Sequence, residues 1–356
     1  MSRYSRHISL KEIGNIGQNK IHASKVLVIG AGGLGCPVLQ YLAAAGVGTI
    51  GIVDFDTVDV SNLQRQILCG ASSIGKNKAE VAKEVLLHLN PTINIKAYPQ
   101  KLTPENIVDL FTTYDIVVDA TDNFASRYLI NDAAIVLEKP LVYGAIYKFE
   151  GQLTVFNYKN GPSYRCLFPI PPQKGMMPNC SEVGVLGVLP GIIGTMQANE
   201  VLKIILGIGQ SLSGKLYCFN ALTNESTTIG IARNPEEINT IKARGYYFDV
   251  IDASFFCASS VPEIEIENTY GEDIQYIDVR EAHEKPRIAL EGLLEIPLGD
   301  LENQLEIISK DKKTIIFCQS GVRSRQAVLK LQPTISDCYS LKGGVSAFAK
   351  AESKTI

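Results

Sequence analysis

The sequence predicts an α/β protein: a Rossmann-like, mostly parallel sheet comes first, and a second, smaller α/β domain follows. Three observations support this fold class: short apolar runs alternate with helical stretches over about 26–150, a glycine-rich turn joins the first strand to the first helix, and a second alternating unit begins near 262. Such alternation is typical of parallel sheets with helices on both faces. Since 356 residues exceed one small core, we predict a first domain, a linker and a second domain, at 1–235, 236–261 and 262–356.

The first domain contains strands and helices that alternate in chain order. Its predicted strands are VLVI, TIGIVDFD, INIKAYPQ, DIVVDATDN and PLVYGAIY, and the helices between them are CPVLQYLAAAGVG, GKNKAEVAKEVLLHLN, PENIVDLFT and FASRYLINDAAIVLEK. The first strand is a short apolar run, and the second helix stops at Asn90-Pro91, where a proline disfavours further helix. From Gly151 the pattern changes to an antiparallel strand, a Pro- and Gly-rich loop over about 159–183 and a long helix near 187–206, followed by the strands KLYCFNA and ESTTIGI.

The second domain repeats the alternation on a smaller scale. Its predicted elements are the strand IQYIDVRE, an acidic helix near 299–309, the strand KTIIFC, the helix RSRQAVLKL and the strand CYSLKGG.

Bulk properties exclude several classes of protein. A formal charge of −3 provides no basic field for nucleic acid. The polar, charged start MSRYSRHISLKEIG is not a signal peptide, and the longest apolar stretch is interrupted by Pro190, Asn199, Glu200 and Lys203, so we expect a buried helix and no membrane segment. Eight scattered cysteines indicate reduced thiols and a cytoplasmic protein.

The glycine-rich turn indicates a nucleotide site. Gly30, Gly32, Gly33 and Gly35 join a strand to a helix, where glycines permit a tight turn and let backbone N–H groups approach a phosphate. Asp54 ends the next strand, at a spacing suited to a ribose hydroxyl. These features do not separate ATP from NAD, and a glycine-rich packing turn is the structural alternative.

The charged residues that follow favour a triphosphate. One short span and the helix start after it contribute Asp54, Asp56, Asn62, Arg65, Gln66, Lys76 and Lys78. Cations in such a set could neutralise phosphates during nucleotidyl transfer, whereas an NAD-dependent oxidoreductase, the alternative, has little use for them. Asp122 ends a later strand, where it could hold Mg²⁺. A solvated charged face is the structural alternative.

Together these motifs resemble a known family. RYSRHISL, GAGGLG, VDFDTVDVSNLQRQIL, IGKNKAE, DATDNFASR and GIIGTMQANEVLKIILG are similar to the molybdopterin-synthase adenylyltransferase and ThiF family, relatives of the ubiquitin-activating enzymes. The resemblance covers about 3–235 and implies the ubiquitin-activating-enzyme fold and a homodimer. It also implies a Mg-ATP site that adenylates the C-terminal glycine of a small ubiquitin-like sulfur carrier ending in Gly-Gly.

The resemblance also implies roles for individual residues. Gly33 would lie at the phosphates, Asp54 at the ribose, and Asp122 on magnesium. The triphosphate would be bound by Asn62, Arg65 and Lys78, and Arg6 would reach the ATP of the partner subunit. The remaining positions expected at the cofactor are Gly30, Gly32, Gly35, Asp56, Gln66 and Asn123.

Two cysteine positions need separate treatment. Many family members hold zinc with two Cys-x-x-C pairs, but here the first pair is SYRC, with Ser163 and Cys166, and RNPEEINTIK has no cysteine. Because a structural zinc site needs four ligands, we expect no zinc.

Cys180 lies in the Pro- and Gly-rich loop where the family places a cysteine able to link to the carrier. A sulfur relay at Cys180 and a bystander thiol both remain open.

The motif FCQSGVRSRQ near the end of the chain indicates sulfur chemistry. Cys318 follows a strand and precedes a helix, and loop N–H groups, the helix N-terminus and Arg323 would favour a thiolate or persulfide anion. Gly321 lets the loop curl around the sulfur. The spacing Cys-x-x-Gly-x-Arg-Ser, ending at Ser324, is similar to the active loop of single-domain rhodaneses, with Asp278 and Arg280 of YIDVRE as structural supports. This resemblance covers about 262–350 and implies a rhodanese-like domain; a phosphatase loop is the alternative.

The two resemblances together imply a coupled reaction. The first domain would adenylate the carrier, and a persulfide on Cys318 would then convert the adenylate to a thiocarboxylate. The sulfur donor would be thiosulfate or a cysteine desulfurase. Molybdopterin synthesis is the expected pathway, with thiamine or another carrier pathway as the alternative. A scaffold that uses only its rhodanese-like domain is a further alternative.

Overall fold

The structure is a computed structural model, and it forms two compact units, one before and one after the segment 249–260. The residues that it describes are 3–171, 184–248, 261–269, 273–290, 292–319, 321–332, 334–345 and 347–348. Cys180 lies outside these described residues.

The first unit is an eight-stranded sheet with helices on both faces. Its strands are β1 (Lys25–Ile29), β2 (Thr49–Val53), β3 (Asn94–Tyr98), β4 (Ile116–Asp119), β5 (Leu141–Tyr147), β6 (Glu150–Phe156), β7 (Lys215–Asn220) and β8 (Glu225–Gly230). Its helices are α1 (Ser5–Ile8), α2 (Gly14–Ala23), α3 (Gly35–Ala45), α4 (Lys78–Leu89), α5 (Pro104–Thr113), α6 (Phe124–Val136), α7 (Tyr164–Leu167), α8 (Leu189–Leu206) and α9 (Pro235–Arg244). The strand order is β3-β2-β1-β4-β5-β6-β7-β8, parallel from β3 to β5 and antiparallel beyond.

Strand β1 shows why the sheet is covered on both faces. Val26 and Val28 pack into a core with α3 and α8, whereas Leu27 and Ile29 pack into a second core with α5 and α6. Side chains alternate between the faces of a strand, so a run that is apolar at every position needs helices on both sides. The continuous apolar pattern of VLVI therefore predicts this burial correctly.

The position of β1 also creates a ligand crevice. β1 lies between β2 and β4, so the chain leaves β1 toward one edge of the sheet and later returns to β1's other side. In open parallel sheets, ligands bind at the carboxyl ends of the strands at such a reversal. Gly30, Asp54 and Ala120 follow these three strands, and backbone hydrogen bonds join Gly30 N to Val53 O at 2.9 Å and Ala120 N to Ile29 O at 2.9 Å.

The second unit is a five-stranded parallel sheet with the order β11-β10-β12-β13-β9. Its elements are β9 (Glu263–Ile264), β10 (Ile274–Asp278), β11 (Leu294–Glu295), β12 (Lys313–Phe317), α10 (Val322–Leu331) and β13 (Cys338–Leu341). The acidic segment predicted as a helix near 299–309 instead forms a 3₁₀ helix, Leu301–Ile307, interrupted at Gln304, whose φ of −121° lies outside the helical region.

The segment predicted as a linker begins with an ordered helix. In α9, Ile238 and Ile241 are buried against Ile135 of α6, and Lys242 bonds Glu138 at 2.7 Å. The domain boundaries themselves stay a prediction. Within the described parts of the chain, no helix is both long and apolar enough to cross a membrane.

Candidate functional site

The turn after β1 can be built only with glycine at two of its positions. Gly30 has φ +97°, and a Cβ there would lie 2.7 Å from Ala120 O. A Cβ on Gly35 would lie 1.9 Å from Gly30 O. At Gly33 an added Cβ would press on Pro190 at 3.1 Å, whereas at Gly32 the nearest atom, Gln66 Nε2, would be 3.8 Å away. Gly30 and Gly35 therefore shape the turn, while the space beside Gly32 is free for a ligand.

Asp54 braces this turn from the end of β2. Its Oδ2 accepts a hydrogen bond from Ala31 N at 2.7 Å, and its Oδ1 accepts from Asp56 N at 2.9 Å. Burial raises the pKa of Asp54, although these backbone hydrogen bonds and Lys78 act in the opposite direction. Each carboxylate oxygen can accept a second hydrogen bond, so the brace is compatible with a ribose contact.

The span between β2 and α4 brings polar side chains to the glycine turn. Arg65 Cδ would lie 3.4 Å from a Cβ on Gly33. Gln66 is 3% exposed, and its Oε1 has no hydrogen-bond partner. Since a buried polar atom without a partner costs free energy, this orphan acceptor beside the turn fits a site that a ligand completes.

Lys78 and Asn62 are held by neighbouring residues. Lys78 Nζ forms an ion pair with Asp56 Oδ2 at 2.9 Å, with Lys78 buried and Asp56 half exposed. Asn77 caps α4 and donates to Asp54 O and Asp56 O, which ties the helix start to the end of β2. Asn62 Oδ1 accepts from Asp59 N at 3.1 Å, so this side chain also stabilises the span.

The end of β4 supplies the acidic part of the site. Asp122 is exposed there, where it could contribute a carboxylate to magnesium. Asn123 Oδ1 accepts from Ser126 N at 2.9 Å and caps α6, so that oxygen already has a structural task. Arg6 lies exposed on α1, and its expected reach to a partner subunit stays a prediction.

Two buried charges below this loop were not singled out from the sequence, although DATDNFASR contains both. Asp119 is 1% exposed and accepts from Thr121 N at 2.9 Å and from Thr121 Oγ1 at 2.7 Å. Burial raises the pKa of Asp119, while the nearby Arg127 lowers it. Arg127 Nη2 donates to Thr121 O at 3.2 Å. These contacts fix the backbone immediately before Asp122.

The cysteine loop of the second unit surrounds a buried sulfur. Cys318 is 1% exposed, and Gly321 N donates to its Sγ at 3.2 Å. Gly321 has φ +99°, a conformation that favours glycine, and α10 begins at the next residue. Ser324 Oγ lies 3.7 Å from the sulfur and donates to Gly321 O at 3.0 Å. The N–H donor and the start of a ten-residue helix both favour negative charge on this sulfur.

Arg323 has a partner that was not identified from the sequence. Its Nη1 and Nη2 donate to Glu284 Oε1 and Oε2, each at 2.6 Å, in a bidentate ion pair. Glu284 Oε1 also accepts from Glu281 N at 2.9 Å. The positive charge expected at the sulfur is therefore accompanied by a fixed carboxylate.

Family models match segments of both units. The model of the ThiF family matches residues 4–239, and that of the rhodanese-like domain matches residues 266–351. The chain belongs to the ThiF family.

One relative of this ThiF-family chain matches nearly its whole length and is named for both activities, and another matches about two thirds of it. It is 41% identical over 373 residues to the probable adenylyltransferase/sulfurtransferase MoeZ of Mycobacterium tuberculosis, covering 98% of this chain and 93% of MoeZ. It is 50% identical over 240 residues to the sulfur carrier protein adenylyltransferase of Thermus thermophilus, covering 66% of this chain and 89% of that protein. The predicted enzyme class, an adenylyltransferase with sulfurtransferase activity, is confirmed over the oxidoreductase alternative.

Solved structures confirm the fold class. The crystal structure of E. coli MccB with MccA-N7isoASN superimposes with a TM-score of 0.58 at 24% identity, covering 66% of this chain and 73% of MccB. This likeness confirms the predicted mixed α/β fold, whereas the resemblance to the ThiF family and to rhodaneses is confirmed by the two family models.

The first of the two cysteine pairs expected for zinc keeps a single cysteine, Cys166. Cys166 Sγ accepts hydrogen bonds from Ser163 N at 3.3 Å and Asn234 N at 3.2 Å. Asn234 caps α9, the helix formed by the segment in which the second cysteine pair was expected. Within the described ranges, no group of three or more His, Cys, Asp or Glu side chains could hold a metal ion.

The rhodanese-like domain contains a buried ion pair that contacts the cysteine loop. Arg280 and Asp278 are fully buried, and Arg280 Nη2 lies 2.7 Å from Asp278 Oδ2. Arg280 Nη1 donates to Pro286 O at 2.9 Å and to Gln319 Oε1 at 3.1 Å. The pair therefore links the end of β10 to the residue that follows Cys318.

We expect Asp278→Asn to destabilise the second unit by about 3–5 kcal/mol, because it leaves a guanidinium buried without a carboxylate. Hydrogen exchange of the β10 and β12 amides would measure the loss. Glu295→Gln is the matched control, since Glu295 is half exposed and lies 3.5 Å from Arg287. The control should lower the free energy of unfolding of the second unit by less than about 1 kcal/mol. Equal losses in the two variants would contradict the role of the buried pair.

Proposed function

We propose that this chain adenylates the C-terminal glycine of a small ubiquitin-like sulfur carrier and converts the adenylate to a thiocarboxylate. The proposal rests on one observation above all: one chain carries a glycine turn flanked by Arg65 and Gln66, and also a cysteine whose sulfur accepts a backbone N–H. The name of the Thermus thermophilus relative supports the carrier as substrate.

Adenylation joins two anions, so the site must offset their repulsion. The carrier carboxylate attacks the α-phosphate of ATP, and pyrophosphate leaves. In this proposal Arg65, Lys78 and Asn62 bind the triphosphate, Gly33 approaches the phosphates and Asp54 accepts from the ribose. Asp122 holds Mg²⁺, which would supply further charge neutralisation. In a homodimer, Arg6 of each subunit would extend toward the ATP of the other.

Sulfur transfer follows at Cys318. Its persulfide sulfur attacks the acyl carbon, AMP leaves, and an acyl disulfide forms between the carrier and Cys318. A thiolate at Cys180 then attacks the Cys318 sulfur. This step releases the thiocarboxylate and leaves a Cys180–Cys318 disulfide for a thiol reductant to reduce. Because both activities lie on one chain, the persulfide has a high effective concentration toward the adenylate.

The carrier itself decides the pathway, and molybdopterin synthesis is our first choice. Candidate carriers would be incubated with the enzyme, Mg-ATP and a sulfane-sulfur donor, and their intact masses measured. A thiocarboxylate on one carrier, dependent on ATP, would support the proposal and identify the pathway. Thiocarboxylate formation without ATP, or failure of ATP–pyrophosphate exchange with every carrier, would contradict it. A scaffold that uses only its rhodanese-like domain predicts thiosulfate turnover without exchange.

We also propose that the first unit is stable without zinc. Purified protein should contain no stoichiometric zinc by elemental mass spectrometry, and a chelator should leave its thermal unfolding unchanged. Cys166→Ser should lower the free energy of unfolding by only about 1 kcal/mol, since the change alters only the hydrogen bonds to one sulfur. Cys218→Ser, at a half-buried thiol of β7, is the control. Zinc that is present in the wild type and absent from Cys166→Ser would contradict this prediction.

A further inference from the structure

The ion pair between Arg323 and Glu284 bears on which sulfur donor the cysteine loop accepts. Cys318 must first acquire a sulfur, and the two donors considered from the sequence differ in charge. Thiosulfate is a small dianion, whereas a hydropersulfide, R–S–SH, transfers its terminal sulfur in a neutral form. The positive potential around Cys318 therefore affects the two donors unequally.

Arg323 is a cation within the cysteine-loop motif, and Glu284 accepts hydrogen bonds from both terminal nitrogens of its guanidinium. The two 2.6 Å contacts are bidentate, and Glu281 N fixes the carboxylate from the other side at 2.9 Å. The pKa of Glu284 is lowered to about 2, chiefly by Arg323, so the carboxylate is charged at neutral pH. The pKa of Arg323 is raised first by its hydrogen bonds to Glu284, and the charge of Cys318 adds to the rise. Arg323 is the second residue of α10, the helix that begins directly after the Gly321 N–H that contacts the sulfur, and its guanidinium is half of a neutral pair.

Basic side chains on the neighbouring elements are paired as well. Arg280, which contacts Gln319 beside Cys318, is buried against Asp278. Arg325 of α10 lies 2.9 Å from Glu263, and Lys342 after β13 lies 2.7 Å from Glu265. The predicted domain 262–356 contains 16 acidic and 12 basic residues, so its overall charge does not attract an anion either.

We propose that Glu284 is a specificity-determining residue that, by neutralising Arg323, selects a hydropersulfide donor over thiosulfate. This inference rests on the proposed sulfur-transfer function. The Cys318 thiolate attacks the terminal sulfur of R–S–SH, a new S–S bond forms, the donor's S–S bond breaks and R–S⁻ leaves; the product is Cys318–S–SH. The same attack on thiosulfate brings a monoanion onto a dianion and expels sulfite. This reaction needs a nearby unpaired cation, but Glu284 neutralises the charge of Arg323.

Glu284→Gln tests the assignment because glutamine keeps one acceptor for Arg323 and removes the charge. Loading of Cys318 would be followed by intact mass in full-length protein with thiosulfate, with cysteine hydropersulfide, and with a cysteine desulfurase supplied with cysteine. We expect Glu284→Gln to raise kcat/KM for thiosulfate about 10-fold, and more steeply at low salt. Loading by cysteine hydropersulfide should change by less than about 2-fold, because its reacting form is neutral.

Two further variants separate charge from structure. Glu281→Gln removes a carboxylate in the same turn but no acceptor of Arg323, so it should change both kcat/KM values by less than about 2-fold. The double variant Glu284→Gln/Arg323→Gln should not show the increase in kcat/KM for thiosulfate, because it also lacks the positive charge of Arg323. Loading by the desulfurase but not by the free hydropersulfide would still support a hydropersulfide donor, one presented on a protein.

Three outcomes would overturn the assignment. A wild type that prefers thiosulfate would show that the paired arginine does not exclude a dianion. If Glu284→Gln lowered kcat/KM for Cys318 loading equally with both donors, Glu284 would only stabilise the structure of the loop. If no donor loads Cys318, the sulfur-transfer function fails together with the donor assignment, a result distinct from a wrong preference.

Discussion

A Cys318→Ser variant is expected to form carrier thiocarboxylate at least about 1,000-fold more slowly than the wild type while still forming the carrier adenylate at the normal rate. Serine has the same shape as cysteine and keeps an acceptor for Gly321 N, but its oxygen cannot carry the sulfur that is transferred. The fold should tolerate the change, since the buried sulfur is replaced by a smaller atom within hydrogen-bond distance of the same amide.

Two measurements on the same protein separate the two halves of the reaction. ATP–pyrophosphate exchange reports adenylation, and intact mass of the carrier reports thiocarboxylate. Cys69→Ser is the matched control, since Cys69 is a partly buried thiol of the first unit, and it should retain both activities. A Cys318→Ser enzyme that still made thiocarboxylate in the presence of a sulfane donor would refute the role of the cysteine loop.

Local sequence patterns were sufficient to predict the longer strands and the two loops proposed to carry the chemistry, but not the two-residue strands β9 and β11. Gly30 and Gly35 were recognisable because the turn requires glycine there, for steric reasons that hold in any chain with this backbone. The apolar run at β1 is likewise local, since it depends on residues that are adjacent in sequence. The strand order could not be read from any such pattern.

Partners that are distant in sequence could not be predicted. Glu284 and Arg323 are 39 positions apart, and Cys166 and Asn234 are 68 apart. No periodicity links such residues, because their pairing depends on how the strands pack and not on local geometry. The consequence is functional: the sequence indicates a cationic cysteine loop, whereas the structure places a carboxylate on its arginine.

The pair Lys76 and Lys78 allows the phosphate site to be tested with its own control. Both lie in IGKNKAE, but Lys76 is exposed, whereas Lys78 is buried and bonds Asp56 at 2.9 Å. Lys78→Gln should slow adenylation about 100- to 1,000-fold, because a fixed cation is lost where charge develops on the phosphates. Lys76→Gln should change it by less than about 3-fold, since solvent screens an exposed charge.

ATP–pyrophosphate exchange at saturating carrier, with the KM for ATP measured in parallel, would distinguish the origin of the Lys78 effect. A loss in kcat means that Lys78 acts on the transition state, whereas a rise in KM alone means that it binds the nucleotide equally throughout. Thermal unfolding should change little in Lys78→Gln, because Asp56 is half exposed and keeps its solvation when its partner is removed. Equal exchange rates in the two lysine variants would instead show that the buried position of Lys78 serves packing, and that the triphosphate is bound by other cations.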